Sequence, residues 1–124
     1  MEKQSIKHFK DLNSWKEAHK LVLSIYKISK IFPEEERFGL VSQIRRASVS
    51  VTSNIAEGFG RNTQKDKLSF YTMAKSSLFE IESQLLIAKD LGYIKEKDFF
   101  EIENNINIVS KLISGLSKSA SSWK

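Results

Sequence analysis

Residues 40–58 read LVSQIRRASVSVTSNIAEG and contain the pattern that decides the fold. Apolar side chains recur in this stretch at intervals of three or four positions, at Leu40, Ile44, Ala47, Val51 and Ile55. An α-helix turns once in about 3.6 residues, so this spacing places them on one side of a helix. The sequence Gly58-Phe59-Gly60 ends the pattern. We therefore predict a helix over residues 37–58 with one side in a core.

Three further segments repeat this spacing, and we predict helices over residues 14–31, 64–91 and 95–117. Four amphipathic helices with short connections favour an all-α, antiparallel, up-down-up-down four-helix bundle. We expect residues 1–124 to form a single domain, in which residues 118–124 are a mobile tail.

Polar residues and one glycine mark the predicted helix ends. Ser14 with Glu17 three positions later fits a capping box at the start of the first helix. Thr63, followed by Asp66, is a candidate cap for the third. Gly92 fits the left-handed residue that closes many helices at their C-terminus.

No catalytic, metal or cofactor site is predicted. The sequence has no cysteine, and neither of its two histidines, His8 and His19, has a glutamate three positions before it. The Glu-x-x-His ligands of di-iron bundles are therefore absent. There is also no Gly-x-Ser-x-Gly turn and no glycine loop for phosphate. No segment approaches the roughly 20 apolar residues that cross a bilayer, so we expect a cytoplasmic protein without membrane contact.

A second, polar stripe runs along the same stretch of residues 40–58. It consists of Gln43, Arg46, Ser50, Asn54 and Glu57. One interpretation is an internal hydrogen-bond network with Ser77 and Glu80 of the third helix. The other is a contact to a ligand or RNA through Arg46. We predict that Arg46 and Glu57 are at least partly buried and hydrogen-bonded.

The positive charge is concentrated at the start of the chain. The net charge is +5, and residues 1–30 alone carry seven lysines and three acidic residues. Candidate phosphate contacts are Lys16, Lys20 and Lys27 in the first helix, and Arg37, Arg45, Arg61, Lys65 and Lys67 near the ends of the second. Such residues also occur as ordinary solvated charges. Aromatic residues are not interleaved with the first-helix lysines, so we expect no stacking of single-stranded bases.

Apolar residues beyond the core stripes predict self-association. They are Tyr26, Ile28, Phe100, Ile108 and Leu112, in the first and fourth helices. A partner surface would remove them from water.

Several motifs together resemble the family of 23S rRNA intervening-sequence proteins, whose members are four-helix bundles. They are Phe9-x-Asp11-Leu12-x-x-Trp15-x-x-Ala18, Phe32-Pro33-x-x-Glu36, Gly39-Leu40-x-x-Gln43-x-Arg45-Arg46-Ala47-x-Val49-Ser50, Asn54-Ile55-Ala56-Glu57-Gly58, Ser77-Leu78-x-Glu80-x-Glu82-x-x-Leu85 and Ala88-x-x-Leu91-Gly92-Tyr93. The resemblance covers roughly residues 9–117. Thr52 and Ser76 depart from it, standing where proline and glycine are frequent.

The resemblance implies a non-enzymatic, RNA-associated protein that assembles as a homopentamer. The accessory proteins of diversity-generating retroelements are similar in fold and engage nucleic acid and a reverse transcriptase. A reverse transcriptase is therefore a possible protein partner. The alternative, from another functional class, is an adaptor bundle that binds a protein and little or no nucleic acid.

Overall fold

The computed structural model describes residues 6–122, which form four α-helices and no β-strand. The helices are α1 (Asn13–Ser29), α2 (Leu40–Phe59), α3 (Gln64–Asp90) and α4 (Glu96–Ala120). Short 3₁₀ helices precede α1 at Phe9–Asp11 and α2 at Glu34–Glu36. The predicted all-α, four-helix fold is confirmed.

Each helix packs on two others, in the cyclic order α1, α2, α3, α4. Residues rising along α2 meet residues falling along α3, because Ser50 bonds to Ser77 and Gly58 lies against Tyr71. Helix α3 likewise runs antiparallel to α4, where Lys75 bonds to Ser114 and Lys89 lies over Phe99. These directions are consistent with the predicted up-down-up-down order.

The core is built from the apolar stripes that the sequence predicted. Its fully buried large side chains include Leu21 and Ile25 of α1, Ile44, Val51 and Ile55 of α2, Ile81 and Leu85 of α3, and Val109 and Ile113 of α4. The stripe of α1 is centred on Leu21, while Trp15 and Val22 at its margin are only half-buried. None of the helices within residues 6–122 has the length and hydropathy needed to span a membrane.

The helix boundaries differ from the predicted ones by up to three residues, and three of these differences have a structural consequence. Helix α1 begins at Asn13, so Ser14 lies inside its first turn, where its hydroxyl is buried without a hydrogen bond; the capping-box prediction is wrong. Helix α2 begins three residues late, because the Oε1 atom of Glu36 accepts the Leu40 N–H at 3.2 Å. Helix α4 continues to the buried Ala120, so residues 118–120 of the predicted tail are helical. Residues 123–124 of that tail lie outside the described residues.

Two predicted helix ends are confirmed. Thr63 Oγ1 accepts the N–H of Asp66 at 3.1 Å at the start of α3. At its end, Gly92 has φ +80° and donates to the Lys89 carbonyl at 3.0 Å, while the Tyr93 N–H reaches the Ala88 carbonyl at 2.9 Å. These two bonds form a Schellman motif, which satisfies carbonyls that the helix leaves open.

The α1–α2 and α3–α4 connections meet at one end of the bundle. The Tyr93 hydroxyl donates to Glu36 Oε2 at 2.9 Å, and the Tyr93 ring lies 5.6 Å from that of Phe32. The hydrogen bond to Glu36, with lesser contributions from burial and the nearby carboxylates, raises the pKa of Tyr93. Glu36 thus joins both connections to the start of α2.

Candidate nucleic-acid interface

The three candidate lysines of α1 lie on one exposed side of that helix. Lys16, Lys20 and Lys27 are separated by four and seven positions, which returns each to nearly the same angle. Lys20 is 3.2 Å from Glu17 Oε1, whereas Lys16 forms no ion pair within residues 6–122. Lys16 is thus open to an external phosphate, and Lys20 would exchange its exposed pair with Glu17 for one.

A groove between α1 and α4 borders the last of these lysines. Lys27 lines it opposite Asp98 and Glu101, and Ile28 and Ile102 are among its apolar residues. Its cavity volume is about 350 Å³. Because two carboxylates share the groove with one ammonium group, the positive potential around Lys27 is weaker than that around Lys16.

The exposed candidates near the ends of α2 form solvent-exposed ion pairs or none within the described part of the chain. Arg37 lies 3.6 Å from Glu34, and Arg61 lies 2.9 Å from Glu57 in a pair that is about half exposed. Lys65 is exposed and has no ion pair among the described residues. Exposed pairs contribute little to stability, so these groups could exchange their partners for phosphates.

Arg45 is committed to an internal contact. Its Nε atom donates to Ser29 Oγ at 2.8 Å, its Nη2 donates to the Tyr26 carbonyl at 3.2 Å, and its guanidinium lies 4.7 Å from the Tyr26 ring centroid. These contacts tie α2 to the last turns of α1. The prediction of Arg45 as a phosphate contact is therefore not supported.

Lys67 is also an internal residue, with only 6% of its surface exposed. Its ammonium donates to the Phe59 carbonyl at 2.8 Å and the Gly58 carbonyl at 3.3 Å, at the end of α2. Burial lowers the pKa of Lys67. Sequence reasoning placed it among the surface charges because its position within the first turn of α3 does not reveal that it points inward.

Part of the polar stripe on α2 forms the predicted internal network. The Ser77 hydroxyl donates to Ser50 Oγ at 2.9 Å, and Asn54 Nδ2 donates to the Ser50 carbonyl at 2.8 Å and to Ser50 Oγ at 3.0 Å. Ser77 is buried, and the other two are half-buried. These three residues join α2 to α3 near the middle of both helices.

The remaining stripe residues, Gln43, Arg46 and Glu57, are exposed in this single chain, and so is Glu80, their expected partner on α3. The prediction that Arg46 is partly buried and hydrogen-bonded is thus wrong here, whereas Glu57 is about half exposed and accepts a hydrogen bond. Both lie on the far side of α2 from Val51, beyond the contact with α3. Glu57 pairs with Arg61 instead, while Arg46 has no hydrogen bond or ion pair within residues 6–122.

An aromatic ladder, formed by the rings of His8, Phe9, Trp15 and His19, was missed by the sequence analysis. Centroid distances along it are 4.4, 5.5 and 4.9 Å, and the last two rings are nearly parallel, at 11°. Trp15 and His19 are one turn apart, but only the fold of residues 8–12 brings the other two rings onto α1. The ladder brings aromatic rings together at the start of α1, where the sequence predicted no stacking of single-stranded bases.

Apolar surface is more widespread than predicted. Of the predicted surplus residues, Tyr26, Phe100 and Ile108 are exposed, while Ile28 and Leu112 are half-buried. The most exposed aromatic residues were not predicted: Phe38 is 89% exposed, and Phe79 on α3 is 70% exposed.

Within residues 6–122, no group of three or more metal-ligating side chains occurs.

Comparisons with known proteins agree with this architecture. A family model described as "23S rRNA-intervening sequence protein" matches residues 10–115. A 1.70 Å crystal structure from Bacteroides thetaiotaomicron, described as a protein of unknown function from the S23 ribosomal protein family, is similar with a TM-score of 0.78. Its identity to this chain is 22%, and the match covers 85% of this chain and 95% of that one. Comparison with curated proteins gives no significant match.

Proposed function

The chain belongs to the 23S rRNA-intervening sequence protein family, and from this premise we propose that it is a non-enzymatic, oligomeric protein that associates with RNA mainly through phosphate contacts. The observation that carries the proposal is the exposed row of Lys16, Lys20 and Lys27 on one side of α1. Lysines spaced along one side of a helix suit the repeating charge of a nucleic-acid backbone.

Self-association would strengthen such contacts. One chain carries a net charge of +5, so a pentamer, the assembly that the family resemblance implies, would carry +25 and repeat each lysine row five times. Weak contacts that are linked in one assembly gain affinity because later contacts form within the complex. Apolar side chains such as Phe79 and Phe100, 70% and 55% exposed, support an assembly that covers them.

The salt dependence of RNA binding tests this proposal. We expect the logarithm of the affinity to fall linearly with the logarithm of salt concentration, as counterions are released from the phosphates. Replacing Lys16, Lys20 and Lys27 together by glutamine should reduce that slope by about two for a single strand, at about 0.7 per lost contact. Fluorescence anisotropy with a labelled RNA measures both quantities.

A matched control replaces Lys95, Lys97 and Lys111 by glutamine, which removes the same charge from exposed positions elsewhere. We expect this variant to keep a steeper slope than the α1 variant. Equal slopes for the two variants, or binding that does not respond to salt, would contradict a phosphate interface on α1.

The alternative function is an adaptor that binds a protein partner, such as a reverse transcriptase. The exposed rings of Phe38 and Phe79 favour it, because isolated bundles gain nothing by holding such side chains in water. If neither single-stranded nor duplex RNA binds at low salt, the adaptor is the better proposal.

A further inference from the structure

We propose that the aromatic ladder of His8, Phe9, Trp15 and His19 is a stacking platform for unpaired nucleic-acid bases, with the adjoining lysines contacting the phosphates. This inference rests on the proposed function and narrows it, because it assigns the RNA ligand to a class, the single strand. It also adds a contact whose strength depends on the bases as well as on charge.

The four rings already contact one another before any ligand arrives, and one pair of them is stacked. Trp15 and His19 lie almost parallel with centroids 4.9 Å apart, and Phe9 meets Trp15 edge-on at 5.5 Å. His8 is held in place because its Nδ1 atom accepts the Lys10 N–H at 3.2 Å. An array fixed in advance loses less conformational entropy when a base stacks on it.

The ladder combines rigid inner rings with accessible outer ones. Phe9 and Trp15 are half-buried, and Trp15 packs against the hydrophobic core. His8 and His19, at the two ends, are exposed. A flat ring that is fixed on one side and open on the other offers a face to a nucleobase, and such stacking tolerates any base.

Exposed lysines adjoin every ring of the ladder in the sequence. Lys7 and Lys10 flank His8 and Phe9 in the sequence, and Lys16 and Lys20 follow directly after Trp15 and His19. Asp11 and Glu17 are the acidic residues within the same segment, and Glu17 is already paired with Lys20.

Positive charge beside aromatic faces fits a ligand that is both anionic and aromatic. A duplex provides the charge but keeps its bases stacked inside, whereas a single strand can provide both. The ladder therefore favours single-stranded nucleic acid over a duplex or an acidic peptide.

Comparing two strands of equal charge separates stacking from electrostatics. The probes are an oligouridylate of about ten nucleotides, within the length that one single-strand site covers, and an abasic strand with the same number of phosphates. The chain has two tryptophans, so Trp123→Phe leaves Trp15 as the only indole and its fluorescence as a reporter. We expect the oligouridylate to quench Trp15 and to bind about tenfold more tightly than the abasic strand at the same salt concentration.

Removing the exposed rings should abolish this preference. We expect the double variant His8→Ala, His19→Ala to bind both strands within about twofold of each other, because each stacked base supplies much of the difference. Both positions are exposed, so the helical circular dichroism spectrum should be unchanged. The control is Phe38→Ala, which removes an aromatic ring that is 89% exposed and lies outside the ladder, and it should keep the preference.

The possible outcomes distinguish this inference from the proposed function. Equal affinity for the two strands, or a preference that survives in the double-histidine variant, overturns the stacking platform and leaves phosphate binding intact. If neither strand binds at low salt, the platform is wrong. If a duplex RNA also fails to bind, the RNA-binding function is wrong as well.

Discussion

Of the chain's glycines, Gly58 leaves the least room for a side chain, because it lies where α2 contacts α3. A Cβ atom at this position would lie 2.6 Å from Cε1 and 2.9 Å from Cδ1 of Tyr71, and 3.1 Å from Cβ of Phe70. Tyr71 cannot easily move aside, because only 3% of its surface is exposed. The close contact of the two helices therefore depends on the missing side chain.

A pair of glycine substitutions tests this dependence. We expect Gly58→Ala to lower the free energy of unfolding by about 1–3 kcal/mol, because overpacking outweighs the better helix propensity of alanine. Gly115→Ala in α4 is the control, since its Cβ would meet nothing within 4 Å, and it should raise stability by about 0.5–1 kcal/mol. Urea denaturation measures both. A Gly58→Ala chain as stable as the control would show that α3 can shift away.

Single residues were predictable from sequence where the determining contact is local. Thr63 caps α3 through a bond that spans three positions, so its role was correctly predicted. Ser14 had the same local signature. Because α1 begins one residue earlier, however, Ser14 lies inside the first turn and cannot cap the helix. Arg46 was predicted to be partly buried but is exposed, and Lys67 was predicted to be at the surface but is buried. Burial at the margin of a helix depends on the neighbouring helix, which the local sequence does not show.

At the scale of the element, α2 ends without a basic residue of its own in its last turn. The ammonium of Lys67 reaches over from α3 to the Gly58 and Phe59 carbonyls. A positive charge at a helix C-terminus interacts favourably with the negative end of the helix dipole. Its N–H groups also satisfy carbonyls that lack a partner within the helix. One side chain thus closes α2 and fixes the turn between the two helices.

Replacing this ammonium by an apolar group of similar length isolates its contribution. We expect Lys67→Met to lower the free energy of unfolding by about 1–3 kcal/mol, because the Phe59 carbonyl loses the ammonium at 2.8 Å and the Gly58 carbonyl keeps only backbone donors. Lys65→Met, at an exposed position two residues away, should stay within about 0.5 kcal/mol of the parent protein. Thermal and urea unfolding provide the comparison. Equal stability of the two variants would mean that water replaces the ammonium at no cost.

The elements themselves were largely predictable, and their connections were not. The apolar period of each helix survives in the core because it reflects contacts that every amphipathic helix needs. The ladder from His8 to His19 was missed because it requires the turn at Phe9–Asp11 to fold back onto α1. The same limit applies to the bond between Tyr93 and Glu36, which lie in different connections.

At the scale of the whole molecule, exposed apolar residues point to a partner surface. Leu23, Ile31, Phe79 and Phe100 are each more than half exposed, and they lie in or directly after three different helices, α1, α3 and α4. A ring uses two different surfaces of every subunit, so apolar residues on several helices suit a cyclic assembly better than one dimer patch does.

Mass measurement decides the assembly. We expect size-exclusion chromatography with light scattering to give about 71 kDa, five times the 14.2 kDa of one chain, at micromolar concentration. The physical reason is the removal of apolar surface from water when subunits close into a ring. A mass of 14.2 kDa would contradict self-association, while a dimer or tetramer would contradict only the pentamer.

The groove between α1 and α4 brings together the first and the last helix, and Ile28 and Ile102 both line it. Helices α2 and α3, by contrast, are separated by four residues and can pair as a local hairpin. Closing the longer loop costs more chain entropy, so we expect the α2–α3 hairpin to form before the α1–α4 contact. During synthesis, a chain whose first three helices have left the ribosome exposes the apolar side that α4 will cover.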